Sequence, residues 1–224
     1  MKETFAGKFI VLDGPDGCGK STQVELLVQW LKKNDVPTVS FRDPGTTVIG
    51  EKIREILLSP EHELMDTRTE LLLYMAARAQ LWAEDIRPAL QKGCCVVLDR
   101  WLSSTCAYQG YAGELGTERI VKIAADSLER TWPDFTVMLD VDTKAAEKRL
   151  DRQLDRMELK GRAYHSKVRQ GFIELSKNEI ENSVVIDASA DIETVHDNVV
   201  KAVQSFFKDG RADVTDNSAR QADC

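Results

Sequence analysis

Phe9-Ile10-Val11-Leu12-Asp13-Gly14-Pro15-Asp16-Gly17-Cys18-Gly19-Lys20-Ser21-Thr22 decides how the chain is read. The apolar run Phe9–Leu12 has the length and residue type of a strand buried on both faces. Gly14 to Ser21 then matches G-x-x-x-x-G-K-[ST], and Thr22-Gln23-Val24-Glu25-Leu26-Leu27 continues as a helix. Between a strand and a helix, this spacing has a physical use. Its glycines turn the backbone so that N–H groups point inward at a polyphosphate, and the helix N-terminus adds its positive end. Lys20 supplies a mobile cation, and the Ser21 hydroxyl suits Mg²⁺. A glycine-rich turn with an incidental lysine is the alternative, and the flanking elements argue against it. The loop predicts nucleotide binding without naming the nucleotide.

Outward from the loop, short apolar runs alternate with amphipathic stretches. Strands are predicted over residues 8–13, 38–42, 94–99, 135–140 and 184–187. Helices are predicted over 20–33, 49–58, 67–91, 117–130, 144–152, 163–182 and 192–207, with residues 110–116 as a loop. The strand–helix alternation predicts a doubly wound α/β sheet with helices on both faces. Residues 1–207 suffice for one domain of this kind. The polar stretch 208–224 is predicted to be disordered.

Composition narrows the class. A 42% hydrophobic and 30% charged chain of 224 residues is ordinary for a globular protein. Its net charge of −7 argues against general nucleic-acid binding. No apolar stretch approaches membrane-spanning length, so no membrane partner is expected. Cys18, Cys94, Cys95, Cys106 and Cys224 are odd in number and lack zinc-type spacing, so they read as free thiols of a reducing cytoplasm. One segment departs from the acidic average. Residues 144–169 hold nine Lys/Arg against four Asp/Glu, a local net of +5. A solvated helix face is the plain reading; a charge reserve beside bound phosphates is the functional one.

In open α/β sheets, ligands bind at the carboxyl edge. Arg42-Asp43-Pro44-Gly45, Asp99-Arg100 and Asp140 fall there. Asp99, after Cys94–Leu98, resembles a Walker-B carboxylate that orders Mg²⁺ and its waters, although an Asp there can simply cap a helix.

Together these segments resemble the bacterial thymidylate kinase (dTMP kinase) family. The resemblance rests on GPDGCGKST (14–22), RDPG (42–45), LLLYMAARAQ (71–80), DRW (99–101), SST (103–105), AYQG (107–110), PDF (133–135) and DRME (155–158). It implies a three-layer P-loop NTPase fold with a five-stranded parallel sheet and a helical lid at about residues 143–163. It also implies transfer of a phosphoryl group from ATP to dTMP with Mg²⁺, in a homodimer, for which the apolar faces of the helices at 49–58 and 67–91 are the candidate contacts. Residues 14–22 would bind ATP, with Lys20, Arg100 and Asp99 catalytic and Ser21 and Asp99 on the metal side.

The resemblance further implies that Arg54 and Arg100 clamp the dTMP phosphate, whose oxygens suit the planar guanidinium fork. Tyr74 would stack on thymine, where the family more usually has Phe, and Arg78 would donate to its O4. Ser104, Thr105, Tyr108 and Gln109 would line the base and sugar. Asp16 would touch both substrates. Asp43 stands where the family usually has Glu, and Thr46 replaces a glycine. Gly17 occupies the position where another branch carries a catalytic arginine, so the lid must supply that charge. Arg152 is favoured as this finger, with Arg149 near the adenine and Arg156 near the phosphates. A kinase for another nucleotide or for a nucleoside, and a silent nucleotide-binding protein, stay open as alternatives.

Overall fold

A computed structural model describes residues 1–150 and 153–209. In chain order the elements are α1 (Lys2–Phe5), β1 (Phe9–Asp13), α2 (Lys20–Lys33), β2 (Thr38–Arg42), α3 (Val48–Leu58), α4 (Thr67–Leu81), α5 (Arg87–Gln91), β3 (Cys95–Asp99), α6 (Leu102–Thr105), α7 (Thr117–Ser127), β4 (Phe135–Asp140), α8 (Thr143–Arg149), α9 (Arg162–Asn178), β5 (Ser183–Asp187) and α10 (Ile192–Asp209). The five strands form one parallel sheet in the order β2-β3-β1-β4-β5. β1 is central, so the glycine-rich loop that follows it opens at the middle of the carboxyl edge.

The uninterrupted apolar runs are explained by two cores. Phe9 and Val11 of β1 and Val96 and Leu98 of β3 face one layer. Ile10, Leu12, Cys95 and Val97 face the other, against Leu27 and Leu31 of α2 and Val199 of α10. Side chains alternate across a strand, and in these two inner strands both faces are covered, so Phe9–Leu12 and Cys95–Leu98 are apolar throughout.

Helix boundaries differ from expectation at definable places. The stretch predicted as one helix over 67–91 widens into a π-helical segment, Trp82–Ile86, between α4 and α5. Pro88 lies in the first turn of α5; lacking an N–H and crowding the preceding turn, it favours such a widening. The predicted loop at 110–116 begins later, because α6 continues as a second π segment, Cys106–Ala112. There Gly171 of α9 approaches closely: a Cβ on it would stand 3.0 Å from Tyr111 Cβ and 3.2 Å from Ala107 Cα. α7 stops at Ser127, three residues early, because Leu128 turns extended to bury its side chain. α9 starts at Arg162 and ends at Asn178, after which Ile180 enters the core. α8 stops at Arg149. Among the described residues beyond it, the lid stretch holds a single 3-10 turn, Glu158–Lys160, before α9.

Candidate active site

The phosphate loop is held by conformations that only glycine adopts easily. Gly14 has φ +142° and a Cβ there would stand 2.3 Å from the Leu139 carbonyl oxygen. Gly17 has φ +76° and a Cβ there would lie 2.4 Å from the Ala146 carbonyl oxygen of α8. Position 17 is therefore closed to an arginine by backbone and by space. Lys20 is buried, its Nζ donating to the carbonyls of Gly14 (3.0 Å) and Pro15 (2.8 Å). Ser21 donates its hydroxyl to Asp99 Oδ2 at 2.7 Å, joining the helix start to the end of β3. Cys18 is buried, and burial pushes its thiol up.

A cavity of about 1070 Å³ opens over this loop, lined by Asp16–Gln23, Asp99, Arg100 and Arg54, and on one side by Ala188, Ala190, Asp191, Ile192 and Arg149. Arg149 donates from Nη1 to the Ala188 carbonyl at 3.0 Å. Gly14 and Pro15 do not line this space; their carbonyls hold Lys20 instead.

A second, narrower cavity abuts the first, and Asp16, Arg54 and Arg100 belong to both linings. All ten residues expected around the second substrate line it: Asp16, Asp43, Arg54, Tyr74, Arg78, Arg100, Ser104, Thr105, Tyr108 and Gln109. They come from the chain just after β1, β2 and β3 and from α3, α4 and the α6 segment, so the fold, not local sequence, assembles them. The sequence reading missed Pro44, Leu58, Asp155 and Met157, which complete the wall.

Arg100 is the hinge between the cavities. It takes φ +69°, uncommon for a side-chain-bearing residue. Its guanidinium donates to the Gly14 carbonyl (3.0 Å) and Ser104 Oγ (2.8 Å) and pairs with Asp16. Burial opposes its charge, but Asp16, Tyr108, Asp13 and Asp99 outweigh that and raise its pKa well above the ordinary value. For Asp16, burial likewise opposes ionisation, yet Arg100, Lys20 and the Tyr108 hydroxyl hold its carboxyl down at about 2. Tyr108 donates to Asp16 Oδ2 at 2.6 Å, and its ring lies 5.4 Å from the Arg100 guanidinium carbon.

Arg54 donates from Nη1 to the Pro44 carbonyl at 3.0 Å. Burial lowers its pKa, and the like charges of Arg42 and Arg100 lower it further. Arg54 and Arg100 line both cavities, so like charge is concentrated where the two spaces meet.

On the opposite side, Arg78 is 1% exposed and contacts Asp43 Oδ2 through Nε (2.7 Å) and Nη2 (2.6 Å). It also donates to the Trp101 carbonyl (3.1 Å) and Thr105 Oγ1 (3.0 Å). Asp43 Oδ1 is buried with no partner of its own. Thr46, in the place of a glycine in the resembling pattern, takes φ +70° and is held by an exchange of hydrogen bonds with the Arg42 backbone and by Glu51. Tyr74 is half-buried; burial, and then the charge of Glu70, push its phenol up.

The lid expectations divide. Arg149 lines the larger cavity beside Ala188. Arg152 lies outside the described residues. Arg156 is corrected: it lines neither substrate cavity. It is 5% exposed, its Nε donates to the Leu57 carbonyl at 2.7 Å, and its Nη2 pairs with Glu70 at 2.7 Å. The carbonyls at the end of α3 have no partner within their own helix, and the guanidinium supplies one.

Comparison with known proteins follows the same line. The family model described as "Thymidylate kinase" matches residues 12–199. A thymidylate kinase of Caldanaerobacter subterraneus subsp. tengcongensis is 43% identical over 203 residues, 90% of this chain and 97% of that protein. One from Exiguobacterium sp. is 43% identical over 198 residues, 88% and 93% of the two chains. The crystal structure of thymidylate kinase from Ehrlichia chaffeensis superposes with a TM-score of 0.74 at 29% identity, covering 89% of this chain and 99% of that one.

Proposed function

The chain belongs to the thymidylate kinase family, and on that premise we propose which of its residues transfer the phosphoryl group and how. As a nucleoside-monophosphate kinase it phosphorylates dTMP to dTDP with ATP as donor. ATP occupies the larger cavity, its phosphates on the loop Gly14–Thr22 and its adenine toward Arg149 and Ala188. dTMP occupies the narrower one. The observation that carries this reading is the meeting of the two cavities at Asp16, Arg54 and Arg100, where the acceptor phosphate and the γ-phosphate must approach.

The acceptor oxygen is already anionic at neutral pH, so no general base is needed. Catalysis is positioning together with charge neutralisation. Arg54 and Arg100 hold the dTMP phosphate. Lys20 leaves its two loop carbonyls to follow the transferred group. Arg152 supplies the further positive charge that Gly17 lacks, and closure of residues 150–161 excludes water. Tyr74 stacks on thymine, Arg78 and Thr105 face its edge, and Tyr108 fills the space beside the 2′-carbon. Asp43 Oδ1, buried and unpartnered, accepts a hydroxyl from the sugar.

Ser21 and Asp99 offer two hard oxygens in mutual contact at the helix start. That suits Mg²⁺, which keeps most of its waters and takes few protein ligands. When bound, Mg²⁺ offsets phosphate charge and orders the donor phosphates.

We place this single domain, with its lid, in the cytoplasm; the four described cysteines are free thiols, and no described helix is long and apolar enough to cross a membrane. A homodimer is supported by exposed Val48, Ile49 and Ile56 of α3 and Leu72 of α4. The test of the whole reading is ADP release over dTMP, dUMP, CMP, UMP, AMP and thymidine. dTMP should lead, and turnover of thymidine without dTMP overturns the assignment of the acceptor site.

A further inference from the structure

Glu70 is fully buried in the first turn of α4, a place where an acid ordinarily faces solvent and complements the helix dipole. It lies four residues before Tyr74 and eight before Arg78, so all three share one helix face. Four donor contacts reach its carboxylate. Gln109 donates from Nε2 to Oε1 at 2.6 Å, and Arg156 pairs with Oε2 at 2.7 Å. Lys160 Nζ reaches Oε1 at 3.2 Å and Oε2 at 3.1 Å.

The Gln109 contact has a chemical consequence. A side-chain amide can present either its carbonyl or its NH₂ to a neighbour, but a carboxylate only accepts. The NH₂ of Gln109 must therefore face Glu70, and the carbonyl oxygen is the end left for the cavity that Gln109 lines. Arg78 lines the same cavity; its Nε and Nη2 are held by Asp43, Trp101 and Thr105. Nη1, whose contact is Met75 Sδ at 3.5 Å, is the donor left for a ligand, so the cavity offers one fixed acceptor beside a fixed donor. Thymine matches this set, with an N3–H beside carbonyl oxygens. Cytosine opposes it, with a bare N3 beside an amino group.

We propose that Glu70 is a positioning residue for base selection: it fixes the Gln109 amide so that an acceptor faces the pyrimidine edge, while Arg156 and Lys160 balance its charge. The inference rests on the narrower cavity being the dTMP site. It also gives Arg156 a role distinct from phosphate binding, since it ties the end of α3 and the lid-side segment to the residue that orients the base reader.

The test is the ratio of kcat/KM for dTMP over dCMP in wild type, Glu70→Gln, Gln109→Leu and the double variant. A glutamine at position 70 donates as well as accepts, which frees the Gln109 amide to turn over. The ratio should fall by about 10-fold or more, mainly through KM, with the KM for ATP unchanged. Gln109→Leu should lower it comparably, and the double variant no further. A Glu70→Gln enzyme slowed equally on both monophosphates, with Gln109→Leu still relaxing the ratio, overturns the role of Glu70 and leaves the base site standing. A ratio unmoved by Gln109→Leu overturns the base site and the proposal with it. Should Glu70→Gln fail to fold, solvent exchange of the Gln109 amide protons in the wild type decides. Protection with and without dTMP supports the proposal, and fast exchange with dTMP bound overturns it.

Discussion

Arg78 and Asp43, 35 residues apart in sequence, meet through two nitrogen contacts of 2.7 and 2.6 Å to one carboxylate oxygen, and neither side chain is more than 1% exposed. The other oxygen of Asp43 is left without a protein partner. A buried guanidinium is expensive to leave alone, so the pair fixes β2 against α4 while keeping one acceptor for a ligand. Asp43→Ala should lower stability by about 3–5 kcal/mol, read by denaturant unfolding. It should also raise the KM for dTMP more than that for ATP.

The backbone at Gly17 assigns charge elsewhere. Gly17→Ala forces a Cβ toward the Ala146 carbonyl at a positive φ, displacing the loop or α8. A shift of about 1 Å in a phosphate cradle costs about 10²-fold in rate, so kcat/KM for ATP should fall by that order in steady-state assays. For the same reason Gly17→Arg should not restore a variant that lacks the lid arginine.

Arg152→Ala should lower kcat by about 10³-fold or more and leave dTMP affinity near wild type, measured by single-turnover rate and by equilibrium binding. Near-normal turnover removes Arg152 from the finger role.

Asp16 links the site to acid stability. Its carboxyl is held at about 2 against an ordinary 3.8, so the folded state favours the charged form. That contribution is present above pH 3.8 and is lost as pH falls through about 2. Its size is roughly 2 kcal/mol. Denaturant unfolding of wild type and Asp16→Asn from pH 6 to pH 2 should show their stability difference shrinking by that amount, nearly all of it below pH 4.

The inner strands β1, β3 and β4 were legible because strands covered on both faces leave near-continuous apolar runs. β2 and β4 fall on the predicted bounds, and β1, β3 and β5 within one residue. What failed was local and has local causes. The π segments at Trp82–Ile86 and Cys106–Ala112 leave no periodic trace, since one extra residue in a turn shifts a pattern without breaking it. The place given to Arg156 near the phosphates rests on resemblance to the family alone. The helix ends at Arg149, and Arg156 meets Glu70 and the Leu57 carbonyl instead. Glu70 itself resembled an ordinary first-turn acid. Its spacing of four from Tyr74 and eight from Arg78 was the available signal. The ten residues around the narrower cavity were found by resemblance to a family, because no local pattern reveals that six elements converge.

The central claim is that Arg54 and Arg100 hold the acceptor's phosphate where the two cavities meet. Calorimetric titration of dTMP and thymidine into wild type and Arg54→Ala tests it most directly. Charge-assisted hydrogen bonds of about 1.5–3 kcal/mol each predict that wild type binds dTMP at least about 10²-fold tighter than thymidine. They also predict that Arg54→Ala loses at least about 10-fold of that preference with thymidine affinity unchanged. Equal binding of dTMP and thymidine by wild type, or a preference untouched by Arg54→Ala, would contradict the account.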